Sequence, residues 1–236
     1  MLGHLAHVPR SAPARPAAAV RLAHVTRLFD GLAAISQVNL AVEAGETVWL
    51  RGSNGSGKTT LLRVIGTAIS PTFGRGTVLG QDLVRGRAAI RAETELLGHQ
   101  TRIYEDLTAA ENLRFASALY GVERQRCDAR AVTAALERVG LHEVGAVHVG
   151  RFSHGMRQRL ALARCLIRAP RLLLLDEPYA GLDVDARAVV DDLLAGARRA
   201  GQTVVLASHE APPGHLVDRS LRMDAGRLAS AAQRPP

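Results

Sequence analysis

Arg51-Gly52-Ser53-Asn54-Gly55-Ser56-Gly57-Lys58-Thr59-Thr60 is rich in glycine and ends on a lysine followed by two hydroxyl residues. From Gly52 to Thr59 it fits G-x-x-x-x-G-K-[ST], the spacing of a loop that cradles phosphate. Before it, Glu46-Thr47-Val48-Trp49-Leu50 is short, β-rich and mostly apolar. After it, Leu61-Leu62-Arg63-Val64-Ile65 has helical spacing that runs on to Ser70-Pro71, which predicts strand, loop, helix. The glycines allow turns where a Cβ would collide, so successive N–H groups can point at a triphosphate lying on the positive end of the helix. Lys58 brings a mobile charge to the outer phosphates, and the Thr59 hydroxyl is a ligand for Mg²⁺. The ATP-binding candidates are thus Gly52, Ser53, Asn54, Gly55, Ser56, Gly57, Lys58, Thr59 and Thr60.

Composition supports the assignment from within the chain. Of 30 basic residues only one, Lys58, is lysine, so the site where a planar guanidinium is a poor substitute for a compact ammonium is the one arginine has not filled. The 236 residues are enough for a large core, and 47% hydrophobic content marks a globular chain. Aromatic content of 3% argues against base-stacking platforms for single-stranded nucleic acid, and the net charge of +8 is spread without a run of like charges. Cys127 and Cys165 form neither a C-x-x-C nor a zinc spacing, which predicts a reducing compartment. No apolar run approaches the roughly eighteen residues of a spanning helix, and Pro9, Pro13 and Pro16 interrupt the place where a secretory signal needs an apolar core.

Residues 1–19 are Ala-, Pro-, Arg- and His-rich without periodicity and are expected to be a disordered tail. Residues 20–25, 38–42 and 46–50 read as strands between turn signals at Asp30-Gly31 and Ala44-Gly45, with 77–80 a further candidate. From 86 to 168 the character is helical. Thr108-Ala109-Ala110-Glu111 is a capping box opening a helix over 112–120, a second helix spans 128–139 before Gly140, and a third spans 156–168 before Pro170. Leu172-Leu173-Leu174-Leu175 and Thr203-Val204-Val205-Leu206-Ala207 are apolar throughout, as parallel strands covered on both faces are, with a helix over 185–200 between them.

Those two strands end in Asp176-Glu177 and Ser208-His209, and sites in open α/β sheets lie at the carboxyl ends of strands. Asp176 is positioned to hold the Mg²⁺ that bridges the phosphates, through water or directly. Glu177 beside it is placed to orient or deprotonate the attacking water, and His209 to donate to the terminal phosphate.

These residues in this order resemble the ATP-binding cassette family, over about 20–227. The resemblance implies an α/β fold of the P-loop NTPase type. Its mixed sheet core would carry an N-terminal antiparallel β part and an inserted helical lobe at about 86–168, all in one ATPase domain at 20–228 with a tail at 229–236. It also implies that Phe29 stacks on adenine, that Gln100 is a metal ligand linking the metal site to the lobe, and that Ala180-Gly181-Leu182-Asp183 contacts the other protomer. Ser153, His154, Gly155 and Met156 occupy the signature position that meets the partner's ATP. Ser153 and Gly155 keep the usual pattern, while His154 and Met156 depart from it. A serine hydroxyl, a glycine N–H and a helix start still make an anion site, with a slower site as the alternative outcome.

The family implies ATP and Mg²⁺ as cofactors, a second cassette and integral membrane permease subunits as partners, and a peripheral place on the cytoplasmic face of the membrane. Gly98-His99-Gln100, with Leu107-Thr108-Ala109-Ala110-Glu111-Asn112-Leu113, is similar to the ATPase subunits of cytochrome c maturation, the heme exporters. Drug, lipid or polysaccharide exporters are the alternative. A cassette acting on nucleic acid is disfavoured, because Lys58 and Asp176 are too close in sequence for an inserted long coiled coil and no sustained heptads occur between them.

Overall fold

The computed structural model describes residues 18–98, 101–120 and 127–229. β1 (Ala18–Phe29) and β2 (Leu32–Glu43) form a hairpin on Asp30-Gly31, whose φ of 47° and 82° supply the two left-handed residues that a tight two-residue turn requires. Both strands exceed the predicted 20–25 and 38–42, because register shifts carry the pairing past polar residues. Ala18 and Ala19, assigned to the tail, are therefore part of β1; the rest of that tail lies outside the described residues.

β3 (Thr47–Arg51) leads through the glycine-rich loop into α1 (Lys58–Ile65). The helix stops well before Ser70, at Gly66 and at Thr67 with φ 56°. β4 (Phe73–Val78) and β5 (Gln81–Asp82) complete an antiparallel sheet ordered β2-β1-β4-β5.

α2 (Arg87–Glu93) is followed by β6 (Thr94–Leu97), so the helical lobe does not begin at 86. It consists of α3 (Ala109–Leu119), α4 (Ala129–Arg138) and α5 (His154–Arg168). The capping box is present: the Thr108 hydroxyl accepts the Glu111 N–H at 3.2 Å and the Glu111 carboxylate accepts the Thr108 N–H at 2.8 Å. Asp128 caps α4, and Ala169 closes α5 in a left-handed conformation just before Pro170.

β7 (Leu172–Asp176), α6 (Val184–Arg199), β8 (Thr203–Ala207), β9 (Arg219–Asp224) and β10 (Arg227–Leu228) complete the described residues. The second sheet runs β10-β9-β3-β8-β7-β6, parallel except for β10.

The alternation of side chains divides the interior in two. Leu172 and Leu174 join α1 and the antiparallel sheet on one face of β7, while Leu173 and Leu175 join α5, α6 and the lobe on the other. Val205 and Ala207 of β8 take the first side, Val204 and Leu206 the second. Each fully buried leucine contributes about 2 kcal/mol. With both faces covered, β7 and β8 are apolar throughout and their register is fixed: Ala207 pairs with Leu50 on one side and Asp176 on the other. Gly52, Glu177 and His209 consequently emerge along one edge of the sheet.

Candidate functional site

Two glycines of the loop are sterically obligatory. Gly52 has φ 156° and a Cβ there would lie 2.3 Å from the Met223 carbonyl; Gly57 has φ 102° and its Cβ would lie 2.5 Å from the Ala34 carbonyl. The loop is thereby held against β2 and β9, and Ala34, Glu177 and residues 54–60 line one cleft. Phe29 pairs with Leu32 at the hairpin end, two residues from Ala34, and is 43% exposed with the Arg27 guanidinium 4.5 Å from its ring centre.

Lys58 is buried and curls back, its Nζ donating to the carbonyls of Gly52 at 2.8 Å and Ser53 at 3.1 Å. The ammonium fits inside the loop because it is compact. Thr59 Oγ1 donates to Asp176 Oδ1 at 3.0 Å across the strand-to-helix gap. A hydroxyl and a carboxylate converging at the phosphate end of the loop are hard oxygen donors of the kind Mg²⁺ takes, and Mg²⁺ needs only one or two protein ligands beside phosphate oxygens.

Glu177 has φ 52°, a region non-glycine residues seldom occupy, held by its N–H donating to the Ala207 carbonyl at 2.7 Å. That backbone turns the carboxylate back over the sheet edge, where Oε2 accepts the His209 N–H at 3.0 Å and Oε1 lies 3.7 Å from Lys58 Nζ and 3.6 Å from His209 Nε2. The imidazole reaches Asn54 Oδ1 through Nε2 at 2.5 Å. Lys58, Glu177, His209 and Asn54 therefore form one network, assembled from three strand ends.

The signature residues stand apart from it. Ser153 caps α5, its Oγ accepting the Met156 N–H at 3.2 Å, His154 is exposed, and a Cβ on Gly155 would meet nothing within 4 Å. Among the described residues no hydrogen bond or ion pair joins 153–156 to the loop. Asp183 caps α6 by accepting the Ala186 N–H at 2.8 Å and is bound by Arg159 at 2.9 Å, so it is tied to α5 of its own chain. Those two contacts, the backbone donor foremost, hold its carboxyl below the usual range. His99 and Gln100 lie outside the described residues. A larger hollow of about 530 Å³ at the amino ends of β7 and β8 is lined mainly by small side chains and backbone, so size does not mark the site.

What the residue-by-residue reading missed is a buried cluster of Glu95, Arg164 and Arg168 joining β6 to α5. Its one signal in the sequence is a pair of arginines four apart in the otherwise apolar second half of α5, from Leu160 to Arg168.

The doubly covered parallel sheet, the phosphate loop and the carboxylates at the strand ends define a P-loop nucleotide hydrolase. A family model described as "ABC transporter" matches residues 35–180, and the chain belongs to that family as an ATP-binding, ATP-hydrolysing subunit. It is 38% identical over 177 residues to the ABC transporter ATP-binding protein NatA of Bacillus subtilis (strain 168), covering 75% of this chain and 72% of that one. It is 39% identical to the daunorubicin resistance ATP-binding protein DrrA3 of Streptomyces coeruleorubidus, covering 83% of this chain and 62% of the relative. It is also 37% identical to the cytochrome c biogenesis ATP-binding export protein CcmA of Cupriavidus necator, covering 83% of each. Among solved structures, an ATP-binding subunit of an ABC transporter superposes with a TM-score of 0.84 at 25% identity, covering 91% of this chain and 89% of that one. A dimeric post-hydrolysis cassette bound to ADP and Pi superposes at 0.80 with 26% identity, covering 91% and 98%.

Proposed function

We propose that the chain powers an ABC exporter, working at residues 20–228 as one cassette of a homodimer docked on integral permease subunits at the cytoplasmic face of the membrane. The observation that carries the chemistry is the convergence of Lys58, Asp176, Glu177 and His209 on the phosphate loop. Thr59 and Asp176, with Gln100 as a third ligand, would hold Mg²⁺, which would supply neutralisation of phosphate charge. Lys58 exchanges its loop carbonyls for phosphate oxygens. Glu177, freed from that ammonium, takes a proton from water as the water oxygen bonds to the terminal phosphorus and the bridging P–O bond breaks. His209 donates to the terminal phosphate and loses that partner when phosphate leaves. Phe29 stacks on adenine, and Ser153, His154, Gly155 and Met156 meet the partner's ATP.

Within this class, heme release for c-type cytochrome assembly is supported by Gly98-His99-Gln100 and by the even, 83% coverage of both chains in the match to CcmA. Export of a drug or lipid is the second reading, favoured by the match to DrrA3. Cells whose only copy carries Glu177→Gln should lose covalent heme from c-type cytochromes and keep b-type spectra. Normal heme staining of c-type bands in those cells assigns the protein to the second reading.

A further inference from the structure

Glu95 in β6 is 3% exposed, yet it is a carboxylate in the middle of a strand. Arg164 Nη2 lies 2.8 Å from its Oε1 with Nε donating at 3.0 Å, and Arg168 binds its Oε2. Both arginines are buried on α5, the helix that Ser153 caps. Arg168 also donates to the Thr94 carbonyl at 2.7 Å and lies 3.6 Å over the Tyr120 ring. Burial is the largest influence and opposes the Arg164 charge, but Glu95, with smaller contributions from Cys165 and Tyr120, turns the balance and holds its pKa above the ordinary value.

A buried arginine–carboxylate cluster is weak evidence of a stabilising role, since apolar side chains of similar volume often replace one with no loss of stability. Geometry supplies another. Beyond Glu95, Arg164 Nη1 donates to the Thr101 carbonyl at 2.7 Å and the Arg102 carbonyl at 3.2 Å, so one guanidinium grips both the strand and the chain that continues from it. β6 in turn pairs with β7 up to Leu97 and Leu175, the residue before Asp176, and Gly98 and Asp176 line one hollow at that end of the sheet. A continuous path of contacts thus runs from the metal carboxylate through β6 to the helix that presents the signature.

We propose that Arg164, with Arg168, is a positioning residue for ATP hydrolysis: by clamping Glu95 and the Thr101 and Arg102 carbonyls it makes β6 and α5 one body, so that the metal end of the sheet sets the place of Ser153. A planar fork is required, because Nε and Nη2 meet Glu95 on one side while Nη1 meets the Thr101 and Arg102 carbonyls on another, a spread that the single nitrogen of an ammonium does not span. The inference rests on Ser153 acting on the partner's nucleotide.

The test compares Arg164→Lys, the apolar triple variant Glu95→Leu/Arg164→Met/Arg168→Leu, and Ser153→Ala in the full chain. Arg164→Lys should leave the Kd for ATP within about twofold and lower kcat roughly tenfold. The triple variant should keep its Tm yet share the low kcat, a result that a purely structural role would not give. In a Ser153→Ala background the further loss from Arg164→Lys should nearly vanish, since residues acting through one another are not additive. Wild-type kcat in Arg164→Lys, or in a folded triple variant, or fully additive losses would overturn the proposal. Normal kcat in Ser153→Ala alone would instead refute the reading on which it rests.

Discussion

Lys58 is the residue whose chemistry is least replaceable. Its ammonium lies inside the loop on two carbonyl oxygens, with 94% of its surface covered, and a guanidinium is too wide for that space. Lys58→Arg should lower ATP hydrolysis by roughly a hundredfold or more, by the loss of a preorganised charge, and a phosphate-release assay with near-normal turnover would contradict the loop geometry. Glu177 acts on the proton rather than on binding. Glu177→Gln keeps the hydrogen bond to the His209 N–H but not the basicity, so kcat should fall about 10²–10⁴-fold while a fluorescent ATP analogue still binds.

At the scale of elements, the lobe depends on its caps. Thr108→Ala removes the acceptor of the Glu111 N–H and should cost about 1 kcal/mol, read from denaturant unfolding. Asp183 joins two elements, capping α6 and pairing with Arg159 of α5. Its folded pKa is depressed, so its contribution is present above the ordinary value of 3.8 and is lost as pH falls through the folded pKa. Asparagine is an equally good cap but cannot titrate. Asp183→Asn should therefore melt below wild type at neutral pH, and the gap should close once the pH lies below the folded pKa; a constant gap in thermal melts across that range would contradict the pairing.

For the molecule as a whole, the signature and the Lys58 network lie in separate parts of one chain, so in the proposed homodimer a complete site would take one part from each of two chains related by a two-fold axis. With hydrolysis blocked, Glu177→Gln should form an ATP-dependent dimer, moving on gel filtration from 25.2 kDa to twice that mass. An unchanged monomer with bound ATP would count against closure across Ser153 and Gly155. Among the described residues no helix is long and apolar enough to cross a membrane.

The sequence alone determined whatever is governed by local backbone chemistry or by a run of one polarity. The glycines of 52–57, the Thr108 box and the apolar runs of β7 and β8 act over a few residues, and their places in the fold follow from them. Tertiary structure decided what depends on distant partners. β6 is a strand because β7 pairs with it and because two arginines, 69 and 73 positions away, neutralise Glu95; without them Thr94-Glu95-Leu96-Leu97 reads as part of a helical stretch. β9 forms because β3 offers it a parallel edge, and β10 because β9 turns back on it. The left-handed backbone of Glu177 and the bond from Asn54 to His209 arise only where three strand ends meet, since pairing across the sheet, not spacing along the chain, sets those distances.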